Sequence, residues 1–313
     1  MSTSGVRILT KTANDLIRAA LVHIISLDSQ AQISADLSQD AIDILNDLLV
    51  GGQMEGIGLW MNRIATIYLQ KGVFAYDLGP TGSDYTLDSV ETDLAVAGVL
   101  GDTTLTLTSN AVMTAADNIG VQLDTGYLQW TTISTILAAN QVLVANSLTG
   151  TAALGNKVFS YTTKADRPFE IPKILIRDRF GIDQELTLYS RDEYLQIPNK
   201  SDRGGYPINC YYDPQLNSGI LYTWPACSDV TYRLIASIRL PIQIIDNLTE
   251  DLEIPAEWYR PITWMLAAEI APDCGVNLQT IAYLEQKAAR LFERASAFDM
   301  DKGSFYFQPD LSR

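Results

Sequence analysis

Histidine is nearly absent from this chain, with one residue, His23, in 313. A Ser-His-Asp or Cys-His nucleophile would have to use that residue, and nothing in the sequence sets it beside a strained Ser or Cys turn. Without a second histidine or a nearby cysteine pair, a zinc site has no support. Cysteine is scarce too: Cys210, Cys227 and Cys274 are odd in number and widely spaced. That excludes a disulfide framework and predicts buried thiols in a reducing compartment. No apolar run reaches the ~20 residues of a membrane helix. The first residues lack the apolar core and small-residue cleavage site of a secretion signal. Glycine-rich phosphate loops are missing. Cations are few, 22 against 37 acidic side chains, for a net charge of −15. Such a balance disfavours direct binding to nucleic acid, which needs clustered Lys and Arg. Hydrophobic content of 47% with 19% charged residues is that of a folded globular chain.

What is present is patterned. Residues 12–60 read as an αα-hairpin. Thr12 is the expected N-cap, with Asp15 three residues on. Leu16, Ile17, Ala20, Leu21 and Ile24 then recur at helical spacing. A second helix is expected from Ser38, with Ala41, Ile42, Leu45, Leu48 and Leu49 on its apolar face and Gly51-Gly52 as its stop. From Ala65 the period changes to two, and strands over 66–70 and 73–78 around Lys71-Gly72 predict a hairpin. Residues 95–163 contain one basic residue, Lys157, and five short strand patterns about ten residues apart. This block predicts a small β-sandwich or barrel inserted in a host fold. Further strands are expected over 173–178, 185–190, 210–213, 219–224 and 231–240, with one helical turn at 192–195. Two helices follow. The first, after Pro255, carries Trp258, Ile262, Met265, Leu266 and Ile270. The second, over 278–299, carries Ile281, Leu284, Ala288, Leu291 and Ala295. The predicted class is α+β, a helical bundle of the N-terminal hairpin and two C-terminal helices with a β-rich part. The host would be 1–94 and 164–302, the inserted β domain 95–163, and the C-terminal tail 303–313.

The middle of the chain, residues 186–225, reads LTLYSRDEYLQIPNKSDRGGYPINCYYDPQLNSGILYTWP. It is strand–turn–strand sequence with no histidine, no metal-spaced cysteine pair and no phosphate loop. This segment resembles the head-to-tail adaptors, or tail accessory factors, of short-tailed bacteriophages. Leu45-Asn46-Asp47-Leu48-Leu49 ahead of Glu55-Gly56, the stretch QKGVFAYDLGPTGSDY (70–85) and Glu257-Trp258-Tyr259 at a helix start resemble the same family. The resemblance covers about three quarters of the chain, each motif being short, and the 95–163 block departs from the smallest members. It implies a structural virion protein at the head-to-tail junction, made in the bacterial cytoplasm and assembled as a ring of twelve copies under the portal protein. Such a ring extends the DNA channel, helps retain packaged DNA, which passes without sequence-specific binding, and seats tail nozzle or tailspike proteins. Neither a membrane nor a cofactor, metal or catalytic set is expected in that reading. A ring of identical subunits uses heterologous, closing interfaces. An acidic surface suits a lumen past which DNA slides, and equally suits plain solubility.

The residues chosen for partner binding are Phe305, Tyr306, Phe307, Gln308 and Pro309, contiguous aromatics with no helical or hairpin partner in the sequence. They are expected to dock on the portal or on a neighbouring subunit; the alternative is a fold-back on the last helix. Two other functions stay open. A tail-associated peptidoglycan hydrolase would need paired carboxylates, with Glu55 the acid to test. A receptor-binding tail module would put glycan or host-cell binding in the 95–163 block. His23 is expected as a packed or surface helix residue, and Asp28, Asp36, Asp40 and Asp43 do not match a calcium loop.

Overall fold

The computed structural model describes residues 10–24, 34–54, 61–138 and 140–298. The chain is a mixed α and β protein with five α-helices and three sheets among the described residues. Contacts divide it into a helical unit, 1–61 with 241–313, and a β unit, 62–240.

In the helical unit, α1 (Ala13–Ile24) starts as its sequence predicts. The Thr12 N–H donates to Asp15 Oδ2 and the Asp15 N–H to Thr12 Oγ1, both at 3.3 Å. Its apolar stripe, Leu16, Ile17, Ala20 and Leu21, is fully buried. The second helix, α2 (Ala35–Met54), departs from expectation at both ends. It begins ahead of Ser38, because Ser34 caps it and the Ser38 hydroxyl donates back to the Ser34 carbonyl at 2.9 Å. It also runs through Gly51 and Gly52 instead of stopping there. Helical hydrogen bonding tolerates glycine at a cost of about 1 kcal/mol per residue relative to alanine. The break at 272–275 is as expected, with Gly275 at φ +69°. It separates α4 (Tyr259–Ile270) from α5 (Leu278–Phe298). Helix α4 touches α1, α2 and α5 and is the hub of the core, through Ile262, Leu266, Ala267 and Ile270. The segment between Leu240 and α4 closes the core with Ile245, Leu252 and Ile254. Asn46 holds it like a strand partner, donating to the Ile245 carbonyl at 3.0 Å and accepting from its N–H at 2.9 Å.

The β unit contains two sheets that share one core and a third, larger sheet. A five-stranded sheet has the order β11-β10-β15-β1-β3, where β1 is Asn62–Tyr68, β3 Tyr85–Thr86, β10 Glu170–Arg177, β11 Asp183–Glu185 and β15 Arg233–Arg239. A four-stranded sheet has the order β12-β13-β14-β2, where β2 is Ala75–Leu78, β12 Thr187–Leu188, β13 Asn209–Asp213 and β14 Gly219–Trp224. Their inner faces share one core, with Ile67, Leu78, Ile174, Leu221 and Ala236 among its members. Leu186 is the corner: its N–H bonds the Ile174 carbonyl in one sheet, and the Thr187 N–H bonds Ile208 at the edge of the other. The strand expected over 185–190 is therefore split between sheets and gives way to α3 (Arg191–Gln196), the predicted helical turn. Ser190 and Glu193 form its reciprocal cap.

The hairpin expected over 66–78 is not formed. The turn exists, with Gly72 at φ +75°, but β1 pairs with β15 and β2 with β14. The Tyr76 hydroxyl sits under the turn, accepting from the Gln70 N–H at 3.1 Å, so the chain is steered into separate sheets.

The third sheet has the order β4-β9-β6-β7-β8-β5. Its strands β5 (Thr104–Thr106), β6 (Asn118–Gln122), β7 (Leu128–Ile136), β8 (Gln141–Val144) and β9 (Lys157–Tyr161) match the five patterns read in 95–163. A sixth, β4 (Val90–Asp93), precedes that block; its charged side chains hide it from a hydrophobic reading. The edges meet at a Leu94–Leu107 bridge, with the Ala95 N–H on Thr106 O and the Thr108 N–H on Asp93 O, both 2.9 Å. The sheet thus curls back on itself around Leu94, Leu105, Ile119, Val121 and Val142.

Candidate interaction surfaces

The residues chosen from sequence for partner binding, Phe305, Tyr306, Phe307, Gln308 and Pro309, lie outside the described residues, as does Glu55. Asp28 does too, whereas Asp36, Asp40 and Asp43 stand on the exposed side of α2. His23 stacks on Trp264 with ring centroids 4.1 Å apart. Partial burial, then the nearby Arg260 cation, hold its pKa below the usual histidine value. A neutral ring lying flat on an indole is a packing element of the α1–α4 contact. Burial pushes the Cys210 thiol up to about 12 and the Cys227 thiol up to about 11. Both therefore remain protonated at neutral pH, the inert state of a buried thiol. Among the described residues no group of three or more His, Cys, Asp or Glu side chains is placed to hold a metal ion. No described helix is long and apolar enough to cross a membrane.

The densest polar chemistry lies where the third sheet meets the host strands. Arg233 on β15 pairs with Glu91 on β4 and lies over the Phe159 ring at 5.4 Å. Lys157 bridges Glu91 at 3.0 Å and Asp93 at 2.9 Å. Burial alone would raise the Glu91 pKa, but hydrogen bonds from Arg233 and Lys157 outweigh it and leave the carboxyl below its ordinary value. Beside this network, Tyr68 packs against Trp130, Phe159 and Tyr161 with centroids 4.9, 5.2 and 5.9 Å away. The Tyr161 hydroxyl donates to Asp84 at 2.6 Å and the Tyr68 hydroxyl to Ser89 at 2.7 Å. The ion pairs and hydroxyl hydrogen bonds tie the third sheet to β1 and β15, while the buried Trp130 Nε1 has no hydrogen-bond partner. Sequence reading missed this arrangement because its members lie up to 142 residues apart.

Among the exposed apolar residues, which also include Leu216 and Leu278, two groups are candidate contact surfaces. The β10–β11 hairpin ends in Phe180 and Ile182, 76% and 66% exposed. Its neck is held by the Arg177–Asp183 pair at 2.6 and 2.7 Å, and its tip by the Asp178 carboxylate accepting from Phe180 and Ile182 N–H groups. At one end of the third sheet, Val96, Val99, Leu100 and Leu154 are exposed on two loops joined by the Gly98–Ala152 bridge. Rigid loops that hold apolar side chains in water are features of interfaces. The sequence leaves Phe180 and Ile182 in the turn between the expected strands 173–178 and 185–190, but does not show that they stand exposed.

No protein-family model matches the chain, and no curated protein matches it.

Proposed function

We propose that this chain is a head-to-tail adaptor of a short-tailed phage, a structural virion protein that closes as a ring beneath the portal. The observation that carries the reading is the 186–225 segment with its family-like sequence. In the fold it becomes β12, α3, β13 and β14, the three strands being neighbours in one sheet. Its tyrosines pack on one another, Tyr211 on Tyr222 at 5.9 Å and Tyr194 on Tyr222 at 5.0 Å, as scaffold does. In this reading the four long helices act as a bundle that packs into the ring, and residues 95–163 act as an inserted β domain in a host of 1–94 and 164–302. The exposed hairpin and loop tips then face tail components. The ring extends the DNA channel, helps retain packaged DNA and seats the tail.

The test mixes purified chain with DNA-filled, portal-bearing heads that lack tails, read by electron microscopy and sedimentation. The expected result is a closed ring added to the portal vertex. A chain that leaves the portal bare overturns the reading; peptidoglycan turnover or glycan binding by that same chain would then decide between hydrolase and receptor-binding module. Deleting residues 303–313 is expected to weaken portal attachment, and unchanged attachment would remove Phe305, Tyr306, Phe307, Gln308 and Pro309 from the interface.

A further inference from the structure

Helix α2 carries Asp36, Asp40, Asp43 and Asp47 at spacings of four, three and four residues, all exposed and without one Lys or Arg on the helix. At 100° per residue these four fall within one narrow stripe. Such a stripe costs helix stability, because like charges three and four residues apart repel. On α5, Lys287, Arg290 and Arg294 recur at spacings of three and four, with Tyr283 four residues before them, 56% exposed. These also share one face, with Glu285 on the far side and Glu293 beside Arg290 at the stripe's edge. Among the described residues no ion pair joins any of the four aspartates or three cations to another side chain. Asp43 accepts from Gln39, Lys287 lies over Trp264, and Tyr283 meets the same indole edge-on with centroids 6.3 Å apart.

The spacing of Asp40, Asp43 and Asp47 is that of Lys287, Arg290 and Arg294, so the stripes match in length, about 10 Å each. Beside Asp47 is an open hollow of about 440 Å³ lined by Ile44, Leu48, Met265 and Glu269, with Gly51 and Gly52 on its edge. A Cβ built on either glycine would meet nothing within 4 Å. Antiparallel pairing sets Arg294 at Asp40 and Lys287 at Asp47, and one turn further it brings Tyr283 to Gly51 and the hollow.

We infer that α2 of one copy receives α5 of a second copy of this chain, Tyr283 entering the hollow and the cations meeting the aspartates. Because the two surfaces differ, the contact is heterologous and propagates around a ring. Complementary charge supplies the choice of surface, since like charges brought together penalise every other pairing of these helices. The inference rests on the ring reading above and assigns its subunit contact.

The test uses two full-length variants, α2-reversed (Asp40→Lys with Asp47→Lys) and α5-reversed (Lys287→Glu with Arg294→Glu), added to portal-bearing heads singly and mixed. Each alone is expected to lose ring formation by about tenfold or more. The equimolar mixture is expected to restore it, because an α2-reversed copy matches an α5-reversed neighbour on both sides. Restoration also shows that both variants fold. Rings formed by either variant alone as readily as by wild type overturn this contact and leave the ring reading intact. A mixture as defective as its components also overturns it. Wild type that fails to form rings overturns the ring reading and this contact with it.

Discussion

The helical unit buries aliphatic side chains around one hub helix, while the β unit closes its junctions with aromatic rings and ion pairs. In the first, Ile17, Ala20, Leu45, Leu266 and Ala271 lose all contact with water, and Thr263 is a rare polar residue near the centre. In the second, Tyr76, Tyr85 and Tyr161 are among the largest buried side chains, and each spends its hydroxyl on a partner distant in the fold or across a turn. Helices satisfy their own backbone and need only a non-directional apolar contact, so they pack with little polar chemistry. Sheets that change partners leave corners, and directional groups are needed to hold them.

The comparison is broken most severely by removing the hub. Leu266→Ala deletes a side chain with no exposure at the centre of α4 and is expected to cost about 2–5 kcal/mol. Hydrogen exchange should show lost protection in α1, α2, α4 and α5 while β1, β10 and β15 keep theirs. Equal loss in both sets would mean that the two units unfold together.

The β unit is next. A Cβ on Gly219 would fall 2.0 Å from the Tyr212 hydroxyl and 2.3 Å from its ring. That ring crosses β14 so that its hydroxyl donates to the Pro168 carbonyl at 2.5 Å. Gly219→Ala must displace it, at an expected cost of about 1–3 kcal/mol by overpacking. A midpoint in urea unchanged from wild type would show that the ring is free to move.

How much of this was legible follows the same division. The apolar faces of α1, α4 and α5 could be read because Leu16 and Leu266 belong to a 3.6-residue period that local sequence displays. Five strands of the third sheet were legible from their turns. Strand β4 was not, since Glu91 and Asp93 are there for Lys157 and Arg233, which lie far along the chain. The pairing of β1 was equally hidden: a Lys-Gly turn describes a reversal and does not name the sheet that takes each arm. The candidate contact surfaces depend on exposure, which sequence carries only in part. Phe180, flanked by charged residues and Gly181, stands exposed on a tip, whereas Phe159 lies within a strand pattern and is fully buried.

The ion pairs predict a smaller effect with a definite sign. The folded pKa of Glu91 lies below its ordinary value of 4.5, so its contribution is fully present above that value and is lost as pH falls through the lowered folded pKa. Discounted for solvent screening, the loss is below about 1 kcal/mol. Thermal unfolding of the β unit should therefore weaken in acid, and Glu91→Gln should flatten that part of the profile. A variant with an unchanged acid slope would place the sensitivity in other carboxylates.

The smallest expected change has the opposite direction and returns to the helical unit. Gly51 lies within α2, exposed, with open space where a Cβ would stand. Its cost there is backbone entropy alone, so Gly51→Ala should raise stability by up to about 1 kcal/mol, less if the last turn of the helix frays. A stabilised variant that also forms rings less readily would mean that the glycine leaves room for a neighbour's side chain at the expense of its own helix. If the variant is stabilised and ring formation is unchanged, Tyr283 does not enter at that point and the α2–α5 contact must be made by charge alone.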